Sequence, residues 1–327
     1  MGSSKKVIGV LVAAVLAASA CSSSATPAPA SGGGGAAPGG KLTIGIVTFS
    51  STDVATNAEI AGVKTAADAL GWTVTVVDAQ GSVDTGNTAI EDLVQKKVDA
   101  IGEIVLPAAS LGAGIAAANA AGIPVISMGG GLVPGVAALI DDFQGGPVAD
   151  AVMKGTGGKG EMLALLYKEG LPCRERYTSL LNAAGSYPDL TMITQNVPVP
   201  GQTEASTAAS LAWIQAHPKG VAIWGCFDDL AMGAIAAEKQ LNMAAGTLKI
   251  YSFNGDTGAI QAVQDGWMTS TLWIDHAKMG KDTIDTIQQI KAAGASWVPK
   301  TVPTTVINVD ASNVVQFEKD HPDWNAK

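Results

Sequence analysis

Charge is scarce in this sequence: Asp, Glu, Lys and Arg make up only 15% of its 327 residues, and what charge there is leans acidic. With 29 Asp and Glu against 20 Lys and Arg, the net charge of −9 leaves no basic surface for a phosphate backbone, which excludes nucleic-acid binding as a primary role. Histidine is scarcer still. His217, His276 and His321 are widely spaced and none has a partner at metal-ligand spacing, so neither a metal nor a cofactor is expected. Long hydrophobic runs are absent as well. Residues 104–140 carry no charge, but Pro107, Pro124, Pro134 and several glycines cut the stretch into pieces shorter than the ~20 residues a bilayer requires.

Catalytic strings are missing too. There is no G-x-x-x-x-G-K-[ST] and no G-x-S-x-G. The G-x-G-x-x-G at 155–160 follows a predicted helix and precedes a predicted strand, the reverse of a dinucleotide site. Asp141-Asp142 and Asp228-Asp229 are adjacent pairs whose side chains diverge on a strand or helix. They suit a helix cap or a ligand hydrogen bond better than an acid/base dyad. A non-enzymatic role is therefore expected. What the chain has in abundance is hydrophobic residues, at 47%, and 39 glycines without a collagen-like period: a globular composition long enough for two lobes with many tight turns.

The first residues read as a targeting segment. Lys5 and Lys6 precede an apolar run at 7–18, and Ala18-Ser19-Ala20-Cys21 puts small residues before a cysteine. This resembles a bacterial lipoprotein signal at 1–20, although the usual aliphatic residue three places before the cysteine is Ala18 here. The resemblance implies lipidation of Cys21, a lipid anchor, and a location on the extracytoplasmic face of the cell membrane. Residues 21–40, almost all Ser, Ala, Pro and Gly, bury too little to offset chain entropy and read as a flexible tether. In an exported chain the two remaining thiols, Cys173 and Cys226, most simply pair, closing a loop worth about 4 kcal/mol. A metal pair is the alternative, which no histidine supports.

From residue 41 onward strands and helices alternate. Strands are expected at 42–48, 73–78, 100–106 and 124–127, with helices at 54–70, 83–97 and 108–121 between them. The second half repeats the rhythm, with strands near 161–167, 190–197, 221–225, 248–253 and 268–274. Such spacing predicts right-handed βαβ units on parallel sheets, an α/β fold.

Residues 41–310 resemble the type I periplasmic solute-binding proteins of ABC transporters, particularly the ribose and other sugar-binding group. The resemblance is carried by DAIGEIVLPAASLGAGIAAANAAGIPVISMG at 99–129, DDFQGGPVADAVM at 141–153, CRERYTSLLNA at 173–183, FDDLAMGAIAAEKQ at 227–240 and FNGDTGAIQAVQDGWMTSTL at 253–272. It implies two Rossmann-like lobes, one from 41–143 and 275–305 and one from 144–274 and 306–327, joined by crossings near 143–145, 273–276 and 304–308. The ligand is expected between them, at the C-terminal ends of the strands, where open α/β sheets place their crevice.

Site candidates follow each strand. Phe49, Ser50, Ser51 and Asp53 come after the first, with a simple turn and an Asp cap as the alternative. Tyr167 ends the strand near 161–167. Arg174 matches the family arginine that reaches ligand, or else forms a surface ion pair. Phe227 and Asp228 follow strand 221–225, as a contact or as a buried Phe with a helix-capping Asp. Asn254 and Asp256 stand in the FNGD turn where the family has a ligand-binding Asp, and Trp273 and Asp275 end the last strand at the hinge. Three departures bear on the ligand, one being Phe227 at a position the family usually gives to Asn. Met128-Gly129-Gly130-Gly131 replaces the Asp-Arg frequent in sugar binders and offers the backbone of Gly129 instead, and Ala55-Thr56 replaces a pair of aromatics.

The expected function is reception of a small neutral polyhydroxyl solute, a sugar or polyol, for an ABC permease, by a protein that acts as a monomer. A sensory role toward a membrane receptor, a less polar ligand, and an exported enzyme are the competing readings.

Overall fold

The computed structural model describes residues 40–322 and Trp324. The expected signal and tether, and Cys21 with them, lie outside the described residues apart from Gly40.

The alternation read from the sequence is realised as β1 (Thr43–Thr48), α1 (Val54–Ala69), β2 (Thr73–Asp78), α2 (Val83–Gln95), β3 (Ala100–Ile104), α3 (Gly112–Ala120), β4 (Val125–Met128) and β5 (Val136–Asp141). The chain continues as α4 (Gly146–Thr156), β6 (Gly160–Leu166), α5 (Leu171–Ala184), β7 (Leu190–Asn196), α6 (Gln202–Ala216), β8 (Gly220–Gly225), α7 (Asp228–Gln240), β9 (Lys249–Asn254), α8 (Thr257–Gln264) and β10 (Ser270–Ile274). It ends with α9 (His276–Ala293), β11 (Lys300–Pro303), β12 (Val306–Asp310) and α10 (Val314–Asp320).

Two six-stranded sheets result. The first has the order β11-β5-β4-β3-β1-β2 and the second β12-β10-β9-β8-β6-β7. All pairings are parallel except β10 with β12. Central strands such as β3 and β10 are buried throughout, as parallel strands covered on both faces must be. The uncharged stretch at 104–140 supplies α3, β4 and β5 of the first lobe, and no described helix is long and apolar enough to cross a membrane.

The chain passes from one sheet to the other after β5, between β10 and α9, and between β11 and β12. Three strands were not anticipated: β5, β11 and β12. The third crossing is accordingly shorter than expected, because Val306 already belongs to the antiparallel edge strand β12. The edge strand β11 is mostly exposed and so lacks the apolar pattern by which a strand is recognised.

Helices α1 and α9 pack in direct contact although more than two hundred residues separate them. Glycines make this approach possible. A Cβ on Gly62 would run into the carbonyl of Ala277, and one on Gly280 into the carbonyl of Glu59.

Candidate functional site

On the first lobe, the chain leaving β1 carries Phe49 and reaches Asp53, whose Oδ1 caps α1 by accepting from the Thr56 N–H at 2.7 Å. Two turns of helix begin there, and Asp53, Thr56 and Glu59 line a cavity. The tight α1–α9 contact brings Glu59 against His276 at the start of α9, with Oε1 and Nδ1 2.8 Å apart and both residues buried. Burial pushes the Glu59 carboxyl well above its usual range and depresses the His276 imidazole to about 4. Both shifts favour the uncharged pair.

On the second lobe, α5 opens with Pro172 and Cys173 and presents Arg176 to the same cavity. Cys173 is joined to Cys226, at the end of β8, by a disulfide with Cα atoms 5.1 Å apart. Residues three apart on a helix share a face, so the bridge that draws Cys173 toward β8 also turns Arg176 inward. The guanidinium is nearly inaccessible and its bonds span the cleft floor. Nη1 donates to the Cys226 carbonyl at 2.8 Å and to Asn254 Oδ1 at 3.2 Å, and Nη2 donates to the carbonyl and Oδ2 of Asp142, both at 3.2 Å. The Phe253 ring lies beneath it, 4.8 Å from Cζ to the ring centre. Burial outweighs the attraction of Arg176 and raises the Asp142 carboxyl to about 6.

The cavity lies where both sheets end. Its volume is about 30 Å³, room for about two water molecules, so a larger ligand enters only as the lobes part. Phe49, Tyr167 and Phe227 form aromatic walls, the first two with ring centres 5.9 Å apart. Several buried polar atoms at its lining have no partner among the described residues: Glu59 Oε2, Asp142 Oδ1, Arg176 Nε and His276 Nε2. Unsatisfied buried groups of this kind are costly, and a bound molecule supplying hydrogen-bonding groups would offset that cost. Two lining residues also hold left-handed backbone, Val105 at φ 68° and Asn254 at φ 102°, and for a β-branched residue this is strain of a sort concentrated at functional sites.

Of the expected residues, Phe49, Asp53, Tyr167, Phe227 and Asn254 meet at this cavity. Arg174 does not. It is exposed on α5, and its Nη1 donates to the carbonyls of Lys168 and Glu169 at 2.8 and 3.0 Å, because two residues of helix turn it well away from the face that carries Arg176. Ser50 is buried in its own turn with Thr52, and Ser51 bonds Asp78, so neither reaches the lining. Asp228 stands behind the wall. Its Oδ1 accepts from the Thr271 hydroxyl at 2.8 Å and its Oδ2 from the Asp256 N–H at 2.7 Å, which fixes the turn after Asn254 and leaves Asp256 half-buried beside it. Trp273 packs edge-on against Phe317 at 5.2 Å and beside His321 at 4.6 Å, a support for the C-terminal helix. Asp275 caps α9 by accepting from the Lys278 N–H.

Gly129 bonds the Ile140 carbonyl through its N–H, and a Cβ there would press on Asp142 Oδ1 at 2.9 Å. Its neighbour Gly130 is more constrained. Its N–H donates to Ser127 Oγ at 3.0 Å, and a Cβ there would collide with the buried Glu103 carboxyl that Ser127 bonds. The glycine triplet thus leaves room for buried acids where a side chain was expected.

Sequence reasoning missed Glu59, Arg176 and His276 as lining groups and raised Asp142 only as a helix cap or a ligand hydrogen bond. For Arg176 a signal existed in its spacing from Cys173, and for Asp142 in its position just after an unrecognised strand. Glu59 and His276 face each other across 217 residues, and no local pattern announces that pairing.

Comparison with known proteins agrees with the fold. Residues 44–295 match the family described as periplasmic binding protein domain. Over 227 residues, 67% of this chain and 72% of the relative, the sequence is 28% identical to the ribose import binding protein of Bacillus subtilis (strain 168). Among solved structures, an ABC transporter solute-binding protein from Agrobacterium vitis with bound allitol superposes with a TM-score of 0.78 at 20% identity, covering 86% of this chain and 99% of that one. A solute-binding protein from Mycobacterium smegmatis with bound glycerol gives 0.76 at 23% identity, covering 85% and 96%.

Proposed function

The chain belongs to the periplasmic binding protein domain family, and on that premise we propose that it is the extracytoplasmic substrate-binding component of an ABC importer, taking up a small polyhydroxyl solute between its lobes. The observation that carries the reading is the set of buried, unpartnered polar atoms at the cavity where both sheets end, framed by Phe49, Tyr167 and Phe227. Hydroxyl groups would complete those hydrogen bonds, and the rings would stack on apolar C–H faces. Sugar and polyol ligands of the similar proteins favour the same class. Binding requires no chemical step, only lobe closure that exchanges water for fixed donors and acceptors.

The family also favours a location outside the cytoplasm, where Cys21 would carry the lipid and residues 22–40 would give the domain reach to a permease. The test joins both parts. The purified domain is screened by thermal unfolding against ribose, allose, allitol and glycerol, and material co-purifying with it is identified by mass spectrometry. A ligand present at a hundred times its Kd should add about 2.7 kcal/mol to stability and raise the melting temperature by a few degrees. No shift with any sugar or polyol, and none recovered with the protein, would overturn the reading. In cells the Cys21→Ser variant should move from the membrane to the soluble fraction with binding intact.

A further inference from the structure

The charge around the cavity is uneven. Asp53 and Glu59 line it from the first lobe and Asp142 from the crossing after β5, while Arg176 is the single guanidinium among the lining residues. Both terminal nitrogens of Arg176 already serve the protein, leaving only Nε without a partner. His276 contributes no cation, since burial holds the imidazole uncharged near neutral pH. Three carboxyls therefore face one arginine whose charge is largely committed to Asp142.

The acids also oppose one another. After desolvation, Glu59 is raised further by Asp53, Asp53 by Asp229, and Asp142 by Glu59. Closing the lobes onto a neutral molecule leaves burial to neutralise the acids by protonation. Closing them onto a cation lets the acids stay ionised instead, and an ammonium group offers three donors to their carboxylate oxygens. Glu59 Oε2 is the best placed acceptor, being on a 2% exposed lining residue and unpartnered. A metal ion does not fit the cluster, because no described group of three or more His, Cys, Asp or Glu side chains could hold one. The Phe49 and Phe227 faces in the same lining suit an organic cation.

We infer that the ligand is a polyol bearing a protonated amine, an amino sugar or amino polyol, with its ammonium against Glu59 and Asp142 and its hydroxyls toward Asn254, His276 and Arg176 Nε. This deepens the proposed binding role and rests on it.

Matched pairs test the inference by titration calorimetry near neutral pH on the whole domain. D-glucosamine is compared with D-glucose and N-acetyl-D-glucosamine, and 1-amino-1-deoxy-D-sorbitol with D-sorbitol. The amine of at least one pair should bind about 10- to 100-fold more tightly than its uncharged counterparts, the size of one or two charge-assisted hydrogen bonds. Glu59→Gln, which keeps the shape and removes the acid, should erase most of that preference, read as the ratio of amine to hydroxyl affinity measured within the same variant. If uncharged members bind as well as or better than the amines, the inference falls and the sugar-binding role stands. If no member of either pair binds, the inference falls, and the binding role stands or falls by the screen with ribose, allose, allitol and glycerol. The comparison within the unmodified protein holds whether or not the variant folds.

Discussion

At the scale of single residues, Arg176 does two jobs that Arg174 does not. It neutralises Asp142 inside the protein and ties the crossing after β5 to the ends of β8 and β9 through the Cys226 carbonyl and Asn254. Removing one partner of a buried ion pair strands the other charge, at a cost of about 3–5 kcal/mol. Arg176→Ala should therefore lower unfolding free energy by about that much and abolish measurable ligand binding. Arg176→Lys keeps the charge but lacks the planar fork, so it should fold while binding at least tenfold more weakly. Arg174→Ala should change stability by less than about 0.5 kcal/mol, as a surface replacement does, and leave affinity within about twofold. Denaturant titration and calorimetry on the same three variants separate these outcomes, and equal losses at 174 and 176 would refute the placement.

Among elements, the decisive junction is between α5 and β8. The Cys173–Cys226 bridge closes a 53-residue separation, which the chain-entropy model converts to about 4 kcal/mol. It also holds the first turn of α5 against the strand end that receives the Arg176 hydrogen bond. Reduction, or the double replacement Cys173→Ala with Cys226→Ala, should cost about 4 kcal/mol in denaturant unfolding and loosen ligand binding with it. Thiol titration of the unreduced, denatured domain should find both residues unreactive. A reduced protein as stable as the oxidised one would show that the bridge contributes neither stability nor order at the site.

For the molecule as a whole, the buried acids set the response to pH. Asp53, Glu59, Glu103 and Asp142 all have carboxyl groups raised in the folded state, Asp142 from 3.8 to about 6, with burial the largest cause in each. A raised carboxyl binds more protons folded than unfolded, so its contribution is complete below the unfolded value and is lost as pH rises through the folded one. His276, lowered from 6.5 to about 4, acts oppositely: its contribution is present above 6.5 and is lost as pH falls toward 4. Four carboxyls outweigh one imidazole. The ligand-free domain should accordingly melt at a higher temperature near pH 5 than near pH 8, and a melting temperature that rises steadily over that range would contradict the assignment. By the same logic, Asp142→Asn should flatten the profile between about pH 4 and 6.

Much of this architecture is legible along the chain because its causes are local. Apolar β-rich runs and amphipathic helices alternate at βαβ spacing, Asp53 stands where a helix needs a cap, and the site falls after strand ends in an open α/β sheet wherever those strands occur. Those features, together with the resemblance to a solute-binding family, point to the two lobes, the region of the cleft and five of its lining residues from sequence. The edge strands escaped because an exposed edge carries no apolar period, as β11 shows. The charged floor of the cleft escaped for a different reason. Whether Arg174 or Arg176 turns inward depends on the face of α5 that the bridge to β8 selects, and Glu59 meets His276 only because Gly62 and Gly280 let two distant helices touch. Pairings between residues far apart in sequence are decided by packing, and packing exists only once the lobes have formed.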